Sequence, residues 1–169
     1  MPARRVPQCC RMQESILEQN QQAKKRLKRE DAVALAINLA NQGKLPAADS
    51  LSAQLIAQFP GDANTIAMRA FVLHRLGRLT DAIDVLERAV AADPNLPVFH
   101  SNLCEMYRQA GNLDRALEHG LEAVALAPDY PDARNNLGIV QFERSELDAA
   151  EAAYRHALKL KPDFAEVHN

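Results

Sequence analysis

The chain has 169 residues, of which 47% are hydrophobic and 25% are charged, and its formal net charge at pH 7 is −2. This composition indicates a folded protein, and no run of apolar residues is long enough to span a bilayer. Only 5% of the residues are aromatic and none is tryptophan. Since Ala and Leu dominate, closely packed helices are favoured and strands are not expected.

The first 30 residues are the basic part of the chain. Eight Lys or Arg residues stand there against three Glu residues, a charge of +5, so the remainder carries −7. Since nucleic-acid affinity depends on neutralising phosphates, the acidic remainder argues against a nucleic-acid partner. The leader also lacks the apolar stretch of a signal peptide, and the three cysteines form no CxxC pair. We therefore expect a cytoplasmic protein without a membrane partner.

The leader divides into two segments. Residues 1–11 are predicted to be disordered, and residues 12–28 have the composition of a helix that would cap the N-terminal end of the fold. Met12 begins a cleaner helical sequence than Met1, so the sequence leaves both open as the start.

A period of 34 residues runs through the rest of the chain. Four prolines stand at this spacing, and three glycines keep the same step 17 residues ahead of the first three prolines. The residues concerned are Pro60, Pro94, Pro128 and Pro162, and Gly43, Gly77 and Gly111. Such a period indicates one structural unit copied along the chain. It predicts units at 29–62, 63–96, 97–130 and 131–164, with residues 165–169 beginning a truncated fifth.

Each unit is predicted to be a helical hairpin. Counting from the first residue of a unit, position 8 is always small, position 17 is always Leu and position 20 is always Ala. Apolar residues between them recur every three or four residues, which is typical of two amphipathic helices. The glycine at position 15 ends the first helix and the proline at position 32 ends the second. The leucines at position 17, such as Leu113, are expected to be buried.

This register resembles the tetratricopeptide repeat over about residues 30–169. The residues that carry the resemblance are Leu103 with Tyr107, Leu137 with Gly138, Ala150 with Tyr154, Ala157 and Pro162. The resemblance implies an all-α, right-handed α-solenoid of helix-turn-helix hairpins. The sequence departs from the family pattern at a few places: the tryptophan is absent, Ser52 and Gly120 replace a bulky residue at position 24, Arg69 replaces Leu at position 7, and Ser145 replaces the turn glycine.

No catalytic signature is present, so neither an enzymatic activity nor a cofactor is predicted. The chain has no GxGxxG, GxxxxGK[ST], HExxH or GxSxG motif. No two histidines share a helix at the spacing of metal ligands, so ordinary surface or boundary histidines are expected and no metal site. Cys104 takes the small-residue position and is expected to be a buried, inert thiol.

The resemblance implies a binding groove. In this family the first helix of each hairpin lines a concave face, through positions 2, 5, 6, 9, 12 and 13. The candidate groove residues are Ile37, Met68, Phe71, Arg75, Asn102, Glu105, Arg108, Asn135, Asn136 and Ile139. This face begins apolar and turns polar, which suits an extended peptide or a protein partner. The asparagine amides would pair with the ligand backbone.

Other interpretations stay open. Asn102 and Asn136 share position 6 and resemble the asparagine ladder of O-linked N-acetylglucosamine transferases. The chain would then be the N-terminal substrate-recognition region of a larger transferase, with its catalytic domain beyond Asn169. A glycosyltransferase is favoured over a sulfotransferase as the class of that enzyme. A third interpretation is self-association through uncapped repeat ends. Arg75 and Arg108 alone do not complete the cationic clamp that holds a terminal carboxylate, so a chaperone-tail receptor is disfavoured.

Overall fold

The computed structural model describes residues 28–162, which form eight helices and no strand. The first helix, α1, covers residues 28–41 of this range. The others are α2 (Leu45–Gln58), α3 (Ala63–Arg75), α4 (Leu79–Ala92), α5 (Pro97–Gln109), α6 (Leu113–Leu126), α7 (Pro131–Glu143) and α8 (Leu147–Leu160). The predicted disordered segment 1–11, the helical extension up to residue 27 and the fifth repeat at 165–169 lie outside the described residues.

The helices stack as a solenoid. Helices α3 and α4, α5 and α6, and α7 and α8 pack as pairs, and each pair packs on the next through α2 with α3, α4 with α5, and α6 with α7. Helices α5 and α7 also contact each other, so the first helices of these two pairs lie side by side. The predicted all-α solenoid is confirmed.

The turns explain the spacing of glycine and proline. Gly43, Gly77 and Gly111 all have φ of 75° or 76°, a left-handed conformation that glycine adopts without steric cost. The amide that follows bonds back to the helix, for example Arg78 N to Leu73 O at 3.0 Å. Ser145 takes the same conformation at φ 63° although it has a side chain. The helices α2, α4, α6 and α8 each end two residues before one of the four prolines.

Small residues allow the helices to approach closely. All four alanines at position 20 are buried, and Ala36, Ala70 and Cys104 at position 8 have no exposed surface. The expectation for position 17 is wrong. Leu113 is half-buried and Leu147 is 60% exposed, because this leucine begins the second helix at the edge of the hairpin.

Candidate peptide-binding groove

An apolar cavity lies between the first helices of the solenoid. It has a volume of about 530 Å³ and is lined by α1, α3 and α5. Its apolar lining is Val33, Ala34, Ile37, Ala67, Met68, Phe71, Val98 and Phe99, with Asn102 beside them. These helices line one cavity because residues 34 apart take the same place on neighbouring helices.

The fold thus brings the residues of the apolar half of the predicted groove together in one cavity. Ile37, Met68, Phe71 and Asn102 all line the cavity. Met68 differs from the expectation, since it is only 2% exposed and packs in the core with Val72. It forms the floor of the cavity, whereas Phe71 and Ile37 are half-buried and keep surface for a ligand.

An ion pair stands at the rim of this cavity. Arg29 Nη1 lies 3.0 Å from Asp62 Oδ2, and the Arg29 guanidinium sits 5.8 Å from the centre of the Phe59 ring. The side chains of both Arg29 and Asp62 are largely buried. The charged residues of the lining are therefore one arginine and two carboxylates, Glu30 and Asp62, and the interior is apolar.

The polar half of the predicted groove is held by an internal network. Arg108 donates through Nε and Nη2 to Glu105, each at 2.8 Å, and through Nη1 to Glu143 at 2.7 Å. The bonds from Glu105 and Glu143 raise the pKa of Arg108 above its ordinary value. Burial raises the pKa of Glu105, but the hydrogen bonds from Arg108 and Gln109 outweigh it and hold that pKa below its usual range. Both side chains are charged and already paired.

The remaining candidate groove residues differ in their exposure and in which of their polar atoms already form hydrogen bonds within the protein. Asn136 Nδ2 donates to Ser101 Oγ at 3.1 Å and to Ser101 O at 3.3 Å, so its amide nitrogen is used within the protein. Asn102 is exposed, and Asn135 and Ile139 are half-buried on their helices. Arg75 is exposed and donates only a long bond, 3.5 Å, to Ala40 O.

A buried histidine pair was not predicted from the sequence. His100 and His119 were expected at the surface or a boundary, yet both are buried, with their Nδ1 atoms 3.1 Å apart. Positions 4 and 23 face each other across the hairpin, as Ile66 and Val85 do within one core cluster. The register could therefore have paired the two histidines.

The hydrogen bonds fix the tautomers of the neutral pair. His100 Nε2 lies 3.1 Å from Pro94 O, which can only accept, so His100 Nε2 carries the proton. His119 Nδ1 then donates to His100 Nδ1. This leaves His119 Nε2 as a buried acceptor with no partner within residues 28–162. Burial, followed by repulsion from His100, lowers the pKa of His119.

Cys104 is buried as expected, and burial raises the pKa of its thiol to about 12. The thiol is protonated at neutral pH and is a poor nucleophile. Within residues 28–162, no three His, Cys, Asp or Glu side chains come together as metal ligands. In the same range, no helix is long and apolar enough to cross a membrane.

Two family models described as tetratricopeptide repeat match the sequence, one over residues 39–101 and the other over residues 96–163. The chain belongs to the tetratricopeptide-repeat family. No curated protein matches the sequence. The resemblance to the repeat domain of O-linked N-acetylglucosamine transferases stays a prediction.

Solved structures share this tetratricopeptide-repeat fold. MamA from Desulfovibrio magneticus RS-1, from its residue 41 onward, is 22% identical with a TM-score of 0.69, over 80% of this chain and 76% of MamA. TTC0263, a thermophilic TPR protein in Thermus thermophilus, is 25% identical with a TM-score of 0.70, over 79% and 75%. The first TPR of Spaghetti (RPAP3), bound to HSP90 peptide SRMEEVD, is 26% identical with a TM-score of 0.59, over 60% and 81%.

Proposed function

We propose that this tetratricopeptide-repeat chain is a non-catalytic interaction module that holds an extended peptide or protein segment in its concave groove. The observation that carries the proposal is the apolar cavity between α1, α3 and α5. A cavity with an apolar interior and few polar groups at its edge is the usual form of a ligand site. The RPAP3 domain, which has the same fold, binds a peptide.

The cavity provides the anchor for one bulky apolar side chain of the ligand. Phe71 and Ile37 supply its walls and Met68 supplies its floor. Burial of apolar surface stabilises a complex by roughly 25 cal/mol per Å², and anchors in such pockets carry most of the binding energy. The exposed amide of Asn102 stands beside the cavity, where it can pair with the backbone of the ligand.

The polar half of the groove argues against an acidic ligand. Recognition of a carboxylate needs Arg or Lys groups that are free to donate. Of the two candidate cations, Arg108 is occupied by Glu105 and Glu143. We therefore expect the SRMEEVD peptide, which the RPAP3 domain binds, to bind this chain poorly. A peptide with a bulky apolar residue and no net negative charge is the better ligand.

Selection from a random peptide library, displayed on phage and panned on the full chain, tests the proposal. We expect the enriched peptides to share a bulky apolar residue. Synthetic copies should bind the Phe71→Ala variant about tenfold more weakly than the unmodified chain. Leu121→Ala is the matched control, because Leu121 is an exposed apolar residue outside the cavity. It should leave the affinity unchanged.

Two results would contradict the groove proposal. One is that no peptide family is enriched. The other is equal affinity of the enriched peptides for the Phe71→Ala variant, with circular dichroism showing that the variant is folded. Isothermal titration with SRMEEVD gives a separate test of the charge argument, since tight binding would contradict the expectation that an acidic peptide is disfavoured.

The transferase interpretation rests on Asn102 and Asn136. Because Asn136 already donates to Ser101, a ladder of free amides along the groove would require that bond to break. Sequencing the gene beyond codon 169 tests this interpretation directly. A stop codon soon after Asn169 would refute it, and a catalytic domain would support it.

A further inference from the structure

The first half of α1 forms one wall of the groove cavity but contains no core residue. Val33 and Ala34 line the cavity, yet every residue from 28 to 35 is half-buried or exposed. The first buried residues of α1 are Ala36 and Ala40, which share a core cluster with residues of α3. The position of this wall therefore depends on contacts made at the start of α1.

An ion pair joins the start of α1 to the start of α3. Arg29 belongs to the first turn of α1, and its partner Asp62 is the N-cap residue of α3. Asp62 receives Arg29 at Oδ2. Its other oxygen, Oδ1, accepts hydrogen bonds from Thr65 N at 2.9 Å and from Thr65 Oγ1 at 2.7 Å. Since Thr65 is fully buried, the carboxylate that receives Arg29 is itself fixed in place.

Arg29 also lies near Glu30 and Phe59. Glu30 Oε1 is 3.8 Å from Arg29 Nη2, which is too long for a hydrogen bond, and the Glu30 side chain is 56% exposed. The ring of Phe59, at the end of α2, lies below the guanidinium with its centre 5.8 Å away. Asp62 is therefore the main charged partner of Arg29, and Phe59 is the apolar support of its side chain.

The next interface has apolar residues at the same two places. The residues one repeat further along the chain from Arg29 and Asp62 are Ala63 and Leu96, and both pack against one core cluster. At the first interface the same join between helices depends on opposite charges instead. Neutral substitutions that keep much of the side-chain volume therefore test the join without removing its packing.

We propose that the ion pair of Arg29 and Asp62 positions the α1 wall of the cavity, so that the affinity for an apolar ligand depends on this pair. The inference rests on the proposed function and deepens it, since it makes Arg29 a positioning residue of the groove. A wall that is fixed before binding costs less free energy than one that the ligand must order. Loss of the pair should therefore weaken the binding even of a ligand that carries no charge.

Nile red, an uncharged dye whose fluorescence rises in apolar surroundings, is the probe. The full chain is titrated into the dye, and circular dichroism shows whether each variant is folded. Dye bound in the cavity gives the part of the signal that Phe71→Ala removes. Phe71 lines the cavity, whereas the apolar depression around Leu158 on α8 has no residue in common with it.

Matched variants make the test specific. Arg29→Met removes the positive charge, and Asp62→Asn keeps an oxygen that can cap α3. Each should weaken binding in the cavity about three- to tenfold, and the double variant should bind no more weakly than the weaker single, because both changes remove one contact. Arg29→Lys keeps a cation beside Asp62 and should bind more tightly than Arg29→Met. Arg78→Met is the control, because Arg78 pairs with Asp81 outside the cavity, and it should leave the affinity unchanged.

Four results would overturn the proposal. They are the absence of dye binding that Phe71→Ala removes, unchanged affinity in Arg29→Met and Asp62→Asn, losses that add in the double variant, and binding by Arg29→Lys as weak as that by Arg29→Met. The third would mean that the two residues act separately, and the last that Arg29 acts through packing on Phe59. The groove proposal is tested by panning with peptides and this one by the dye, so failure of one is distinguishable from failure of the other.

Discussion

Arg69 and Ser52 replace an apolar pair at the interface between the first two hairpins. Arg69 Nη1 donates to Ser52 Oγ at 2.7 Å and to Asp49 O at 3.1 Å, and it also pairs with the Asp49 carboxylate. At the next interface the same two positions hold Leu86 and Leu103, both buried in one cluster. The two departures from the family pattern therefore contact each other, and the small serine makes room for the guanidinium.

This contact predicts strong coupling between Arg69 and Ser52. Arg69→Leu leaves the buried Ser52 hydroxyl and the half-buried Asp49 with one partner fewer, and Ser52→Leu places a bulky side chain against a charged one. We expect each single variant to lower the free energy of unfolding by about 1–3 kcal/mol. The double variant restores an apolar pair and should be at least about 1 kcal/mol more stable than the sum of the singles. Urea denaturation of the four proteins measures this, and additivity would show that the two residues are independent.

Two glycines within helices are predicted to differ in how much stability an alanine costs. A Cβ at Gly138 would lie 2.8 Å and 2.9 Å from ring carbons of Tyr154, whereas one at Gly120 would meet Cys104 Sγ at 3.1 Å and Leu137 Cδ1 at 3.2 Å. Gly138→Ala should destabilise the chain by about 1–3 kcal/mol through overpacking. Gly120→Ala should change stability by less than about 1 kcal/mol, because better helix propensity offsets the tight contacts.

Thermal unfolding of both alanine variants measures this difference. The Tyr154→Leu background is the control, since it removes the ring that a methyl group at residue 138 would strike. Gly138→Ala should cost less there than in the unmodified chain. An equal cost in both backgrounds would mean that Tyr154 is not the cause.

The repeat register predicts the helices but not every contact between them. Glycine at position 15 and proline at position 32 end helices through backbone geometry alone, so Gly77 and Pro94 are sufficient to place their turns. The Arg69 contact depends on two departures that compensate each other, and a family pattern describes only the usual residue. The histidine pair is a further case, because His100 and His119 lie on different helices and meet only through the packing of the hairpin.

The groove was predicted only in part, because some of its contacts also depend on the packing between helices. The register places Ile37 and Phe71 on one surface, and the cavity lies there. It does not reveal that Glu143 and Glu105 hold Arg108, because that contact depends on the rotamers of long side chains on two helices. Nor does it reveal that Met68 is buried as the floor of the cavity.

Ser145 predicts a simple stabilising substitution. It has φ 63° at the turn where the other three hairpins have glycine. A residue with a side chain pays about 1–2 kcal/mol in this region, while glycine loses about 0.5–1 kcal/mol more entropy on folding. Ser145→Gly should therefore raise the free energy of unfolding by up to about 1 kcal/mol. Gly111→Ser, the reverse change at the equivalent turn, should lower it by a similar amount in the same denaturation experiment.

The buried histidine pair predicts that stability falls in mild acid. Burial and repulsion from His100 lower the pKa of His119 below its ordinary value of about 6.5. The unfolded chain therefore binds a proton that the folded chain resists, and the stability from neutral His119 is present above about pH 6.5 and is lost as the pH falls.

The charged groups around this pair come from three helices. Glu87 belongs to α4, His100 to α5, and Arg115 and Glu118 to α6. The two carboxylates favour the protonated form of His119, but burial and the positive charges outweigh them. If both histidines were protonated, each Nδ1 atom would carry a hydrogen. Two N–H groups would then face each other where the Nδ1 atoms lie 3.1 Å apart.

We therefore expect the midpoint of urea denaturation to fall between pH 7.5 and pH 5, and to fall less in the His119→Gln variant. His74→Gln is the matched control, because His74 is a half-buried histidine that bonds Gln109 outside this pair. It should keep the pH dependence of the unmodified chain. If His119→Gln showed the full loss of stability, a group other than the histidine pair would cause it. If the His74→Gln variant lost the dependence instead, the buried pair would not be its cause.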